Sequence, residues 1–137
     1  MFRGRLITVE EGRTAALLFP NRAFAVDISG RASVGARGNV LSGYGETQLV
    51  FVLTRGACNF SENRCVLELA NNDSITIVNL LAESAVVSGN VINGSRALTG
   101  LRINAELATV LGNITAPTRI VLNGAPLPDP WAPLNVF

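Results

Sequence analysis

The chain has 137 residues, 48% of them hydrophobic and only 15% charged, with a formal net charge of +1. That length supports one domain with a real core rather than two. The charge balance gives no electrostatic case for a nucleic-acid or anionic-membrane partner, and the absence of His and Lys removes imidazole-based catalysis, imidazole metal sites, Schiff-base chemistry and a Walker phosphate loop.

In chain order, short β-branched and apolar runs alternate with Gly, Asn, Asp and Ser clusters, the pattern of strands and tight turns. Strands are expected at Leu6 to Val9, Ala15 to Phe19, Ala23 to Ile28, Ala32 to Val34 and Gln48 to Thr54. More are expected at Cys65 to Leu69, Ser74 to Val78, Ala85 to Val87, Asn90 to Ile92, Leu98 to Ile103, Ala108 to Leu111 and Arg119 to Leu122. Asn79 to Ala85 reads as a short helical turn or a bend. Asn93-Gly94 and Asn123-Gly124 are strong hairpin signals, because both residue types tolerate positive φ. The regular strand–turn spacing predicts an all-β fold, an antiparallel sandwich, jelly roll or small barrel. A weak echo runs through Gly38-Asn39-Val40, Gly89-Asn90-Val91 and Gly112-Asn113-Ile114. Stacked rungs of a β-solenoid would produce it. The units lack a fixed period, so the hairpins of a sandwich are the preferred source.

Residues 125–137 differ in kind and divide the chain into a β domain (1–124) and a C-terminal arm (125–137). The arm holds four of the six prolines and the only Trp, a density that forbids helix and favours an extended, polyproline-like course. It also carries Leu127, Trp131, Leu134, Val136 and Phe137, which a solvated tail would not retain. These five are the expected partner-binding residues, either folded back on the domain or anchored on a neighbouring molecule. The shortage of charge points the same way, since a lone domain normally covers itself with charged side chains.

Little chemistry is left. Glu10 and Glu11 would face opposite sides of a strand, and Glu46, Glu68 and Glu106 have no sequence-visible partner for carboxylate catalysis. Asn71-Asn72-Asp73 is too short for a calcium loop. No catalytic, cofactor or metal residue is expected, and the chain is read as non-enzymatic. Cys58 and Cys65 are placed to close a hairpin loop by a disulfide, with two ordinary thiols as the alternative. Four Asn-x-Ser/Thr triplets read as turn composition, and Glu10-Glu11 breaks any signal-peptide core, so synthesis in a cytosol is expected.

The segment Asn123-Gly124-Ala125-Pro126-Leu127-Pro128-Asp129-Pro130-Trp131, with the β repeats from Ala85 to Leu122 before it, resembles structural proteins of tailed-phage virions. The nearest kinds are capsid decoration (cement) proteins and short tail or fibre modules. The resemblance covers about a third of the chain. It implies a homo-oligomer, often a trimer, bound to a larger capsid or tail assembly in a virion put together in the host cytoplasm. A tail-fibre or secreted module that binds carbohydrate or a cell-surface receptor, with Tyr44 or Trp131 as its aromatic platform, is the alternative.

Overall fold

The structure is a computed structural model that describes residues 2–3, 6–9, 14–17, 26–30, 33–44, 49–68, 76–94, 99–116 and 118–137. The chain winds as a parallel β-helix. Each coil lays one strand on each of three walls before rising to the next. The first coil is β4 (Val26–Gly30), β5 (Val34–Arg37) and β6 (Val40–Tyr44), and the second is β7 (Val50–Thr54), β8 (Ala57–Ser61) and β9 (Arg64–Glu68). The third is β10 (Thr76–Leu81), β11 (Ser84–Ser88) and β12 (Val91–Gly94). The fourth is β13 (Thr99–Asn104), β14 (Leu107–Leu111) and a single bridge residue, Ile114. Equivalent strands of successive coils pair in parallel on every wall. Wall C begins each coil, wall B follows, and wall A ends it.

Both ends depart from this winding. At the N-terminal end, β1 (Phe2–Arg3), β2 (Leu6–Val9) and β3 (Thr14–Leu17) pair antiparallel with β6, β5 and β4, forming a reverse-wound coil over the first one. At the other end, β15 (Arg119–Leu122) continues wall C in parallel and then turns through Asn123-Gly124 into β16 (Ala125–Pro126), which pairs back antiparallel. Asn123 and Gly124 have φ of 49° and 79°, as a two-residue hairpin requires. This is the one expected hairpin turn that the fold uses as such; Asn93-Gly94 lies inside β12.

The antiparallel sandwich, jelly roll or barrel is therefore corrected to a parallel solenoid. Alternating burial, as along Val34–Arg37 and Val91–Gly94, shows that one face of a strand is covered. It does not show which way the neighbouring strand runs. Parallel strands usually need helices on both faces, but here each wall is covered on its inner face by the other two. The core is a set of stacks. Val50, Val78, Leu101 and Ile120 line wall C, Ala36, Phe60, Val87 and Val110 wall B, and Leu41, Cys65 and Ile92 wall A, and all are buried. The expected helical turn at Asn79 to Ala85 is instead the end of β10, a two-residue corner and the start of β11.

The corner between walls B and A explains the sequence echo. It consists of two residues, the first left-handed and the second Asn: Gly38-Asn39, Glu62-Asn63, Gly89-Asn90 and Gly112-Asn113, with φ of 68°, 55°, 65° and 69° at the first position. Asn135 extends the column. Each Asn lies one coil from the next, at spacings of 24, 27, 23 and 22 residues. The period varies because the insertions fall in the corner between walls A and C, while the Asn corner never changes length. Side-chain Nδ2 groups donate to the next Oδ1 all along the column, from Asn39 to Asn63 (3.0 Å), to Asn90 (3.0 Å), to Asn113 (2.8 Å) and to Asn135 (2.9 Å). Each of these Oδ1 atoms also accepts the backbone N–H of the preceding Asn. A buried amide with both donors and its carbonyl engaged adds no unpaired polar group to the core.

Glu62 is the exception among the left-handed residues. It carries a Cβ where the others are Gly, and its carboxylate receives Arg37 Nε at 3.1 Å and Nη2 at 3.2 Å in an exposed pair. Left-handed strain at a non-Gly residue costs about 1 kcal/mol, whereas an exposed pair contributes little and is screened by salt. Glu62→Gly should raise the urea midpoint slightly, by about 0.5 kcal/mol of stability, and by more at high salt. A fall in midpoint at low salt that high salt reverses would show that the ion pair outweighs the strain.

Candidate interaction surface

Residues 125–137 are not an extended arm; they close the last coil. Leu127 is 5% exposed within the core, and its N–H donates to Ile120 C=O. Trp131 is partly buried and packs on the core. The chain then makes a 3₁₀ turn (Ala132–Leu134), and Val136 forms a parallel bridge with Ile114 as the fifth residue in wall A. Gly112 N–H donates to Leu134 C=O, Thr115 N–H to Val136 C=O, and Val136 N–H to Asn113 C=O. Asn135 ends the ladder. Its Nδ2 keeps the carbonyl contact of the inner coils, donating to Val110 C=O at 2.9 Å, but where they reach another Asn it donates to Trp131 C=O at 2.7 Å. At the neighbouring corner the Asn123 side chain takes the place of a next coil's backbone, accepting Ala105 N–H and donating to Ala105 C=O, both at 2.9 Å.

The five expected partner-binding residues thus divide. Leu127 and Trp131 are held by their own chain. Leu134, Val136 and Phe137 remain 50%, 56% and 47% exposed, beside Leu111 across Gly112 and Ile114 across the wall A bridge. Six of the ten large hydrophobic side chains exposed among the described residues lie between Leu107 and Phe137. Val91, Ile114 and Val136 stack in register as an outer stripe of wall A, with Val40 at its far end and Arg64 between. A cleft of about 480 Å³ opens beside this pole, between Thr118 to Val121, Gly124 to Pro126 and the Phe137 ring. The stripe escaped sequence reading because its members lie a full coil apart; the residue after each ladder Asn was the available signal.

Cys58 and Cys65 sit on the inner faces of walls B and A, on strands that do not pair with each other, and both are free thiols. Burial pushes the Cys58 thiol up from 9.0 to about 12 and raises that of Cys65 as well. The unfolded chain therefore loses these protons first, and the folded state loses stability as pH rises above 9. The loss should be about 1.4 kcal/mol per pH unit for each thiol until the folded value is reached. Urea midpoints that fall between pH 9 and 11, and that stop falling in a Cys58→Ala/Cys65→Ala variant, would bear this out; a wild-type midpoint independent of pH would refute it.

No group of three or more His, Cys, Asp or Glu side chains that could hold a metal occurs among the described residues. Of the carboxylates considered for catalysis, Glu106 is exposed at a corner, while Glu10, Glu11, Glu46 and the side chain of Glu68 lie outside the described residues, as do Asn71-Asn72-Asp73 and the side chain of Tyr44. Among the described residues no helix is long and apolar enough to cross a membrane. Comparison with family models, with curated proteins and with solved structures finds no match.

Proposed function

We propose that this chain is a non-enzymatic structural protein of a viral particle, of the capsid decoration (cement) type, which ties neighbouring subunits together through its C-terminal pole. The observation that carries the reading is the exposed apolar stripe formed by Leu111, Ile114, Leu134, Val136 and Phe137 on a rigid, hydrogen-bonded coil. Contiguous exposed apolar surface marks interaction sites. A side chain of this size contributes about 1.5–3 kcal/mol when it leaves water, and weak contacts repeated around a lattice combine through avidity. The partners are copies of this chain, as a homo-oligomer such as a trimer, and a capsid or tail surface, with no nucleic acid and no membrane. The solenoid supplies stiffness and the last coil supplies adhesion.

The setting is tested by quantitative mass spectrometry of virus particles purified from the host that carries this sequence. The reading expects the chain in the particle at a fixed ratio to the major capsid or tail subunit, and its loss from the particle in an Ile114→Asp/Val136→Asp variant. Absence from particles while the chain accumulates in the cell would overturn it.

A further inference from the structure

We propose that the free lower edge of β14 is a strand-addition site for an extended segment of a partner protein, one with a basic residue followed by apolar and small residues. The inference rests on the docking reading above and names the kind of segment that binds at the same pole.

Wall B is one strand short. The fifth coil gives β15 to wall C and Val136 to wall A, but wall B ends at β14. The inward stack on this wall shows the gap. Cys58 and Ala85 are buried, whereas Ala108, next in the same stack, is partly exposed. Val110 stays fully buried, because Asn135 and Leu134 lie below the C-terminal half of β14. The opening is therefore under Leu107 to Thr109.

The backbone in that opening is unsatisfied. Val110 C=O accepts Asn135 Nδ2 and Gly112 N–H donates to Leu134 C=O, so both point away from β11. Strand groups alternate sides, so the N–H and C=O of Ala108 point the same way. Among the described residues they have no partner. An edge with a free donor and a free acceptor is a template for one more strand.

Two further features define the occupant. Leu107 is 71% exposed at the outer rim of the gap, which fits an apolar side chain on the added strand. Glu83 and Glu106 stack on successive coils where wall C turns into wall B, with Glu106 N–H donating to Glu83 C=O at 3.0 Å. Both are exposed, and neither has an ion-pair partner among the described residues. A strand continuing the coil in parallel brings its first residue to this acidic corner, its second against Leu107 and its third, a small one, beneath Ala108. Leu134 closes the far end and limits the segment to about four residues.

The probe is an acetylated, amidated hexapeptide with arginine first and valine and serine alternating after it, titrated into the 15N-labelled full chain. Saturable shifts centred on Leu107 to Thr109 are expected, together with slowed hydrogen exchange at the Ala108 amide. Glu83→Gln/Glu106→Gln, or glutamate in place of the peptide's arginine, should weaken binding about ten-fold. Ala108→Pro should abolish binding without lowering the unfolding midpoint, since that N–H supports nothing in the free chain, and Leu107→Asp gives a second variant. Shifts elsewhere, no saturation, or equal affinity for the glutamate peptide would overturn the proposal. So would Ala108 protection that rises with protein concentration in the absence of peptide, which would make a second copy the occupant. Failure here, with particle binding still sensitive to Ile114→Asp/Val136→Asp, would leave the docking reading standing; loss of both would remove both.

Discussion

Asn90→Leu should destabilise the chain by about 4 kcal/mol, a large part of the roughly 5–15 kcal/mol that holds a domain of this size together. Asn90 Oδ1 accepts the backbone N–H of Asn63 at 2.9 Å and its Nδ2 at 3.0 Å, and Asn90 Nδ2 donates to Phe60 C=O and to Asn113 Oδ1. Leucine has nearly the same volume and belongs in a core, so burial alone would favour the change. The cost comes from what is left behind. Asn63 N–H loses its acceptor in a place water cannot reach, Asn63 Nδ2 keeps only Ala36 C=O, and two carbonyl oxygens each lose a donor. A buried polar group without a partner costs about 1–3 kcal/mol. Asn59→Leu, on the outer face of wall B, is the control and should change stability by less than about 0.5 kcal/mol. Chemical denaturation of the two variants checks the claim, and equal midpoints would show that the ladder contributes nothing.

Deletion of Leu127 to Phe137 should be still more damaging. The segment buries Leu127 and part of Trp131 against the core, supplies Asn135 Oδ1 to Asn113 N–H and Nδ2, and supplies carbonyls to Gly112 and Thr115. Apolar burial of two such side chains is worth about 2–3 kcal/mol each. Two stranded backbone donors bring the total to about 5 kcal/mol or more. The truncated chain should unfold below 37 °C, or lose its cooperative transition, when followed by circular dichroism. Its fourth coil, from Thr99 onward, should be the first region cut by a protease. A truncated chain with an unchanged melting temperature would show that the segment is an appendage after all.

These two regions also show where sequence reading succeeds and where it stops. Many strand positions are legible from the alternation of buried and exposed residues, and the β2 and β15 boundaries agree with expectation to the residue. β6 and β8, however, are not among the expected strands, and Asn59 to Arg64, read as a hairpin loop, spans the end of β8, the Asn corner and the start of β9. Strand direction is not legible, since a wall of a solenoid and a sheet of a sandwich alternate alike. The deciding signal was the Gly-Asn echo. It looked irregular because the coils differ in length, chiefly between walls A and C, and because Glu62 stands in the left-handed position before Asn63, hiding that member of the ladder. Asn135 was hidden differently. It follows a proline-rich stretch whose composition suggests an extended arm, but Leu127 and Trp131 gain more from closing the open end of the core than from reaching outward. Leu134, Val136 and Phe137, which the arm reading also named, stay about half exposed.

The proposed self-assembly through this pole is most directly tested by sedimentation velocity of the purified wild-type chain beside Ile114→Asp/Val136→Asp. Both positions are outer-wall residues, so the substitutions leave the core and the Asn ladder intact. The wild type should sediment as an oligomer, and the variant as a monomer with the same urea midpoint. A wild type that is monomeric at every concentration, with no difference from the variant, would contradict the assignment of this pole to self-assembly.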